Sequence, residues 1–302
     1  MSPSRKGYLF AVTAVLIFAV QDGISKHLAD LYPPVFIAMV RYIAFAAFVL
    51  ALSARAPGGI RAVAKTKVPV LQWVRGILLA IQIVLAIECF RVAGLIQSQA
   101  IFAASPIFVA LLSMPILGEK VGWRRWLAIV VGLAGVVLLL TPPAGWSQAG
   151  SFGTASILPL IGAVMLGGYG IMTRLVSRVD SAGTTFFYTG IPGAVVLLVI
   201  GPFFWSDLAA ADAVWILILC ITGMTSHYLL IRAYELLDAV VVQPVAYLQL
   251  VAGAFIGVFI FGEILRVNLV LGAVIVVGAG VFTAWREHVV AKRLAAAARD
   301  EN

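Results

Sequence analysis

Ten separate stretches of this chain are each long and apolar enough to cross a lipid bilayer as a helix, and that limits what it can fold into. They run over 7–27, 34–54, 70–90, 96–116, 122–141, 157–176, 184–204, 213–233, 240–261 and 266–286, each close to the roughly 20 residues that a spanning helix needs. Inside a bilayer every backbone polar group must be satisfied within the protein, so spans this long and continuous are helices. The turns between them, marked by Pro33-Pro34, Pro57-Gly58-Gly59, Pro142-Pro143 and Gly201-Pro202, are too short to hold a soluble domain. Composition agrees. The chain is 63% apolar and 11% charged, whereas soluble domains carry about 25% charged residues.

The net charge of +8 at first suggests nucleic acid, but the basic residues sit in short connections between spans, so no nucleic-acid partner is expected. Their distribution reports orientation. Of the 21 Lys and Arg, only Lys26, Arg91 and Arg266 fall on one side and Arg41 inside a span. The others, Arg75 among them, fall on the side of the N-terminus. By the positive-inside rule both termini are cytoplasmic. The first apolar run is of full spanning length and lacks a small-residue cleavage site, so it is no secretory signal. Cys89 and Cys220 both lie in apolar runs and are expected as free thiols.

The chain also contains itself twice. Gln99, Gly118 and Glu119 return 144 positions later as Gln243, Gly262 and Glu263, and Phe90 as Tyr234. A shift of 148 pairs Gln21 with Tyr169, Ser25 with Thr173 and Lys26 with Arg174. Ten spans and one repeat give five spans per half. Five is odd, so the second half enters the membrane from the opposite side. The fold expected is an all-α integral membrane protein of ten transmembrane helices, built as two inverted five-helix repeats over 7–141 and 157–286. An Ala- and Arg-rich cytoplasmic tail over 287–302 follows. Inverted repeats hold substrate between them near the bilayer midplane.

The duplicated Gly-Glu turns, each followed by a Gly-spaced last helix, resemble the EamA family of the drug/metabolite transporter superfamily. Arg41, within Met39-Val40-Arg41-Tyr42, and Pro106 add to the likeness, which covers residues 7 to 286. The overall pattern is similar to YddG-type bacterial inner-membrane exporters of aromatic and other neutral amino acids. One departure is that Thr189 stands where the second half would match Arg41. Whatever Arg41 does is then done by one half.

Polar groups inside a membrane are costly, and each asks for a reason. Gln21 and Ser25 share a face of the first span, and their equivalents Tyr169 and Thr173 are polar or amphipathic too. They read either as a pathway between the halves or as helix-packing hydrogen bonds. Gln82 lies mid-span, with Ser226 as its equivalent beside His227. His227 reads as a substrate contact, a proton carrier or a residue bonded to a carbonyl. Gln99 and Gln243 sit at matching helix starts near opposite mouths, with Phe102 and Tyr247 close by, as substrate contacts or, for Gln99, as a helix cap. These ten polar residues (Gln21, Ser25, Gln82, Gln99, Tyr169, Thr173, Ser226, His227, Gln243 and Tyr247) are the candidate substrate contacts.

Structural or gating roles are expected for Arg41, Pro106, Glu119, Pro192 and Glu263. Arg41 is expected to bond free backbone carbonyls, with a substrate carboxylate as the other reading. Glu119 and Glu263 are expected to cap the helices that follow them, and Pro106 and Pro192 to give bending points. Glu88 reads as interfacial. For Asp22, proton coupling is one role, without support from spacing.

No catalytic or metal-ligating set stands out: no His-Glu-x-x-His, no Cys-His cluster, no glycine loop beside a lysine. An enzyme is therefore disfavoured and no cofactor or metal is implied. The reading is a multi-pass bacterial inner-membrane transporter, functional as a monomer. Its partner would be a small neutral or zwitterionic metabolite, an amino acid foremost, exported by alternating access. Other cargo in the same superfamily is the alternative. A phosphorylated or nucleotide-sugar cargo would want several inward basic residues, and a cationic drug an unpaired carboxylate, for which only Asp22 serves. A channel is a further alternative.

Overall fold

The computed structural model describes residues 3–118, 122–141, 154–237 and 239–300, and every regular element among them is helical. Helices α1 (Pro3–Ala29), α2 (Pro34–Ala54), α3 (Gly59–Val63), α4 (Pro69–Val92), α5 (Leu95–Phe102), α6 (Ser105–Leu117) and α7 (Trp123–Leu140) form the first half. Helices α8 (Thr154–Val176), α9 (Ala182–Ile200), α10 (Ala210–Leu236), α11 (Ala239–Phe259) and α12 (Val267–Asp300) form the second. Seven helical stretches are long and apolar enough to cross a membrane, and Trp126–Leu140, Val245–Phe259 and Val267–Thr283 are shorter apolar helices.

Local sequence explains the boundaries. Pro34, Pro69 and Pro106 stand in the first turn of α2, α4 and α6, where the missing N–H has no helical partner to lose. The fourth apolar stretch is therefore interrupted at Ala103-Ala104, and Pro106 restarts a helix after the break. Ser181 caps α9, its hydroxyl accepting the Thr184 N–H at 3.1 Å. The duplicated glycines Gly118 and Gly262 both take left-handed backbone, φ 66° and 64°, a conformation glycine adopts without steric cost. Glu119 and its expected cap lie outside the described residues.

The largest helix pairings are kept when the halves are exchanged. In the first half α1 lies against α10 and α11. In the second, its equivalent α8 lies against α4 and against α5 and α6. The pairs α2 with α9 and α7 with α12 map onto themselves. Small residues allow the closest of these approaches. A Cβ at Gly135 of α7 would lie 3.1 Å from the Gly272 carbonyl oxygen of α12, and one at Gly272 would lie 2.9 Å from that of Gly135. Gly253 and Gly257 likewise face Gln99 and Ile96 within the chain. Outward faces are apolar, with Leu217, Val251, Phe255 and Val274 all more than half exposed, while most polar side chains within the helices point inward. That is the reverse of a water-soluble bundle, and it suits lipid.

Three expectations are corrected here. Arg75 is not an exposed residue of a connection between spans. It is fully buried, seven positions into α4, because the α4–α8–α9 junction supplies five hydrogen-bond acceptors. Its guanidinium donates to Gln72 (3.2 Å), Tyr169 (3.0 Å), Thr173 (3.5 Å), the Thr185 carbonyl (2.6 Å) and Thr189 (3.2 Å). Glu263 does not cap the helix after it. The turn at Gly262 sends its carboxylate back onto the first N–H groups of α5, at Leu95 (2.7 Å) and Ile96 (2.8 Å). Finally, Arg41 gives no hydrogen bond to any carbonyl among the described residues; its guanidinium borders a cavity instead.

Candidate functional site

Where the two halves meet, the helices leave a cavity of about 310 Å³. Its walls come from α1, α2, α4, α5 and α6 of the first half and α8, α10 and α11 of the second. Its polar lining is drawn from helices of both halves. Gln21, Asp22 and Ser25 project from α1, with Ser25 three and four residues beyond the other two. Arg41 enters from α2, Gln82 from α4, Gln99 from α5, His227 from α10, and Tyr247 and Gln249 from α11. Apolar and aromatic surface fills the rest: Phe18, Leu79, Ile83, Phe90, Phe102 and Leu166.

The polar groups fall into two sets. Asp22 is 8% exposed, and one carboxylate oxygen, Oδ2, receives the amide N–H of both Gln99 (2.5 Å) and Gln249 (2.7 Å). The other oxygen accepts no hydrogen bond among the described residues. Opposite in sign, the Arg41 guanidinium is also 8% exposed and donates no hydrogen bond among the described residues. It has Gln21 Oε1, itself buried without a partner, as a neighbour across Gly223: a Cβ at Gly223 would lie 3.2 Å from that oxygen and 3.3 Å from Arg41 Nε. No ion pair joins Asp22 to Arg41. The ion pairs among the described residues are Lys26–Glu263 and Arg91–Glu88.

His227 stands beside Arg41, its Nδ1 2.9 Å from the Gly223 carbonyl oxygen. A carbonyl only accepts, so Nδ1 carries the proton and Nε2 is left for another partner. The ring meets Phe18 edge-on at 4.9 Å between centroids, which fixes its orientation. Ser25 donates to the Gln21 carbonyl at 2.8 Å, so its lone pairs remain for a ligand. The Tyr247 hydroxyl lies over Gly280, where any side chain would displace it.

The structure divides the ten candidate contacts. Gln21, Ser25, Gln82, Gln99, His227 and Tyr247 line the cavity together, and Gln99 bonds Asp22 in place of capping its own helix. Tyr169 and Thr173 do not line it; they hold Arg75 on the far side of α4. Ser226 is fully buried and donates to the Gly223 carbonyl at 3.2 Å. The side chain of Gln243 lies outside the described residues. Among the other expectations, Arg41 and Pro106 line the cavity, while Pro192 packs against Gly76 between α9 and α4.

The sequence reading left Asp22 out of the candidate contacts and missed Gln249. Signals for both were present. Asp22 is the only carboxylate deep inside a span, and Gln249 is the repeat partner of Ser105, which also lines the cavity. Among the described residues no group of three or more His, Cys, Asp and Glu side chains converges to hold a metal.

The sequence pattern described as the EamA-like transporter family matches residues 5–141 and, a second time, residues 153–285. The chain is 27% identical over 223 residues to the S-adenosylmethionine uptake transporter of Rickettsia prowazekii, with 74% of each chain covered. It is 30% identical over 284 residues to the riboflavin transporter of Vibrio cholerae, with 90% of each covered. To the pseudopaline exporter CntI of Pseudomonas aeruginosa it is 28% identical over 278 residues, covering 90% of this chain and 94% of that one. A crystal structure shares the fold at a TM-score of 0.61, covering 94% of this chain and 97% of the other at 18% identity.

Proposed function

Because the chain belongs to the EamA-like transporter family, as a multi-pass bacterial inner-membrane transporter of small metabolites, we propose that it moves uncharged or zwitterionic compounds, neutral amino acids foremost, by alternating access. In this reading ten helices cross the membrane as two inverted five-helix repeats, 7–141 and 157–286, with both termini in the cytoplasm, and one monomer suffices. The observation that carries it is the cavity: its wall is drawn from both halves, whose largest helix pairings are kept on their exchange. Two halves so related have two equivalent ways to tilt about the same site, one opening to each side.

The lining supports the cargo class. Glutamine amides, a serine, an imidazole and a phenol offer neutral hydrogen bonding beside Phe18, Phe90 and Phe102. One carboxylate and one guanidinium leave the wall with no net charge, which disfavours cargo carrying phosphate. Export is the direction proposed, from the resemblance to amino acid exporters. A second reading is inward transport of a larger zwitterion, favoured by the relatives that bear the name S-adenosylmethionine uptake transporter.

The test is uptake into proteoliposomes of a panel of neutral L-amino acids, S-adenosylmethionine and riboflavin, with and without a pH gradient, in vesicles of both orientations. Accumulation of a panel member, abolished by widening the side chain of cavity residue Ala246 to Trp, is the expected result. Absence of movement for every neutral amino acid removes that substrate assignment.

A further inference from the structure

We propose that Arg41 and Asp22 are the two poles of a zwitterion clamp, Arg41 taking a carboxylate of the cargo and the free oxygen of Asp22 its cationic group. The inference rests on the reading of the cavity as the transport site and says which compounds the site accepts.

Among the described residues two arginines are more than nine-tenths buried, and they differ in one respect. Arg75 donates five hydrogen bonds to side chains and a carbonyl around it. Arg41 is more than nine-tenths buried, lines the cavity and donates none among the described residues. A guanidinium has five N–H donors in a planar fork that matches a carboxylate. Burying it with no acceptor is costly, and a helical membrane protein tolerates that cost at ligand and ion sites. The cargo is the acceptor the structure leaves room for. Gln21, whose Oε1 is buried without a partner, stands beside it on the cavity wall.

Asp22 has the complementary deficit. Both glutamine amides bond Oδ2, which fixes the carboxylate plane and leaves Oδ1 without a donor among the described residues. Asp22 and Arg41 do not neutralise each other, although both border one cavity. A buried charge is tolerated when paired. A zwitterion pairs both, an uncharged molecule pairs neither, and a singly charged one leaves the opposite pole bare. The aromatic remainder of the wall then takes the cargo's apolar side.

Competition in the proteoliposome assay tests this. The member of the panel best transported is set against its own α-amide, which lacks the carboxylate, and its own N-acetyl derivative, which lacks the ammonium. Each blocked form is expected to compete about ten- to one-hundred-fold more weakly, the cost of one charge-assisted contact. Arg41→Gln should erase the discrimination against the amide and keep that against the N-acetyl compound. Asp22→Asn should do the reverse, and the discrimination each variant keeps shows that it is folded. Equal competition by all three compounds, loss of both discriminations in either variant, or transport of riboflavin with no zwitterion moved overturns the clamp while the transporter reading stands. If nothing in the panel moves, the clamp and the substrate assignment fall together.

Discussion

Lys26 of α1 and Glu263, just past α11, meet with Nζ and Oε1 2.5 Å apart, and the same carboxylate receives the first two N–H groups of α5. One side chain thus joins the two halves and satisfies a helix N-terminus, where negative charge is favoured. Both partners are largely buried, at 13% and 16% side-chain exposure. Gly94, at φ 83°, brings the backbone so close that a Cβ there would lie 3.0 Å from the carboxylate. Glu263→Ala leaves a buried ammonium and two orphan N–H groups, and should cost roughly 3–4 kcal/mol, the lower part of the range for breaking a buried pair. Adding Lys26→Met should recover part of that loss. Thermal unfolding in detergent of the wild type, both single variants and the double variant checks it. Strictly additive losses would show that the pair is not coupled.

The two buried arginines make opposite predictions. Arg75→Ala strips a packed network of its centre and should cost about 3 kcal/mol or more. Arg75→Lys should recover little, since an ammonium cannot reproduce a planar fork on five acceptors. Arg41→Ala removes a charge that donates no hydrogen bond among the described residues, so the melting temperature should stay level or rise while transport falls. Melting curves together with uptake separate the two. A large drop in melting temperature for Arg41→Ala would show that its role is structural.

The contrast marks how far sequence alone reaches. Spans, the repeat and the inward face Gln21–Ser25 follow from hydropathy and spacing, because lipid enforces an apolar exterior along every helix. Arg75 was misplaced because hydropathy counts a basic residue near a helix start as a surface residue, and nothing in α4 announces the acceptors on α8 and α9 that enclose it. Symmetry misled too. Tyr169 and Thr173 match Gln21 and Ser25 in position, yet the second junction is filled by Arg75 while the first stays open as the cavity. Glu263 escaped for a different reason, since its partners at Lys26, Leu95 and Ile96 are over 160 positions away. Only tertiary contact selects them.

Gly76 gives Pro192 a packing partner. Proline lacks an N–H, so Pro192 cannot make the helix bond to the Tyr188 carbonyl four residues back. Gly76 of α4 lies against that carbonyl, and a Cβ there would also sit 2.9 Å from Pro192 Cγ. Gly76→Ala should push α4 from α9 and cost about 1–3 kcal/mol, as overpacking does. Pro192→Ala, which restores the bond and removes ring bulk, should partly rescue it. Melting temperatures of the single and double variants measure the rescue, and its absence would separate the two residues.

Asp180 should contribute to the acid sensitivity of the fold. It lies in the α8–α9 connection, outside the apolar spans, and ties down the segment that leads into α4. Its carboxylate accepts from the Thr66 hydroxyl, the Lys67 N–H (3.0 Å) and the Gln72 amide (2.9 Å). Burial alone would raise its pKa, but these hydrogen bonds and the nearby Lys67 charge outweigh burial and hold it below the ordinary carboxylate value. A carboxyl depressed in the folded state adds stability above its unfolded pKa, about 3.9 for Asp, and that stability is lost as pH falls through the lower folded value. Wild-type melting temperature should therefore be insensitive to this group from pH 7 down to about 5 and begin to fall near pH 4. Asp180→Asn should lower the melting temperature by a few degrees at neutral pH, a loss of roughly 1–2 kcal/mol in hydrogen bonding. Its gap to wild type should close as the solution is acidified. Melting curves at half-unit pH steps decide the matter: a gap that stays constant down to pH 3 would mean that the ionised carboxylate is not what holds the segment.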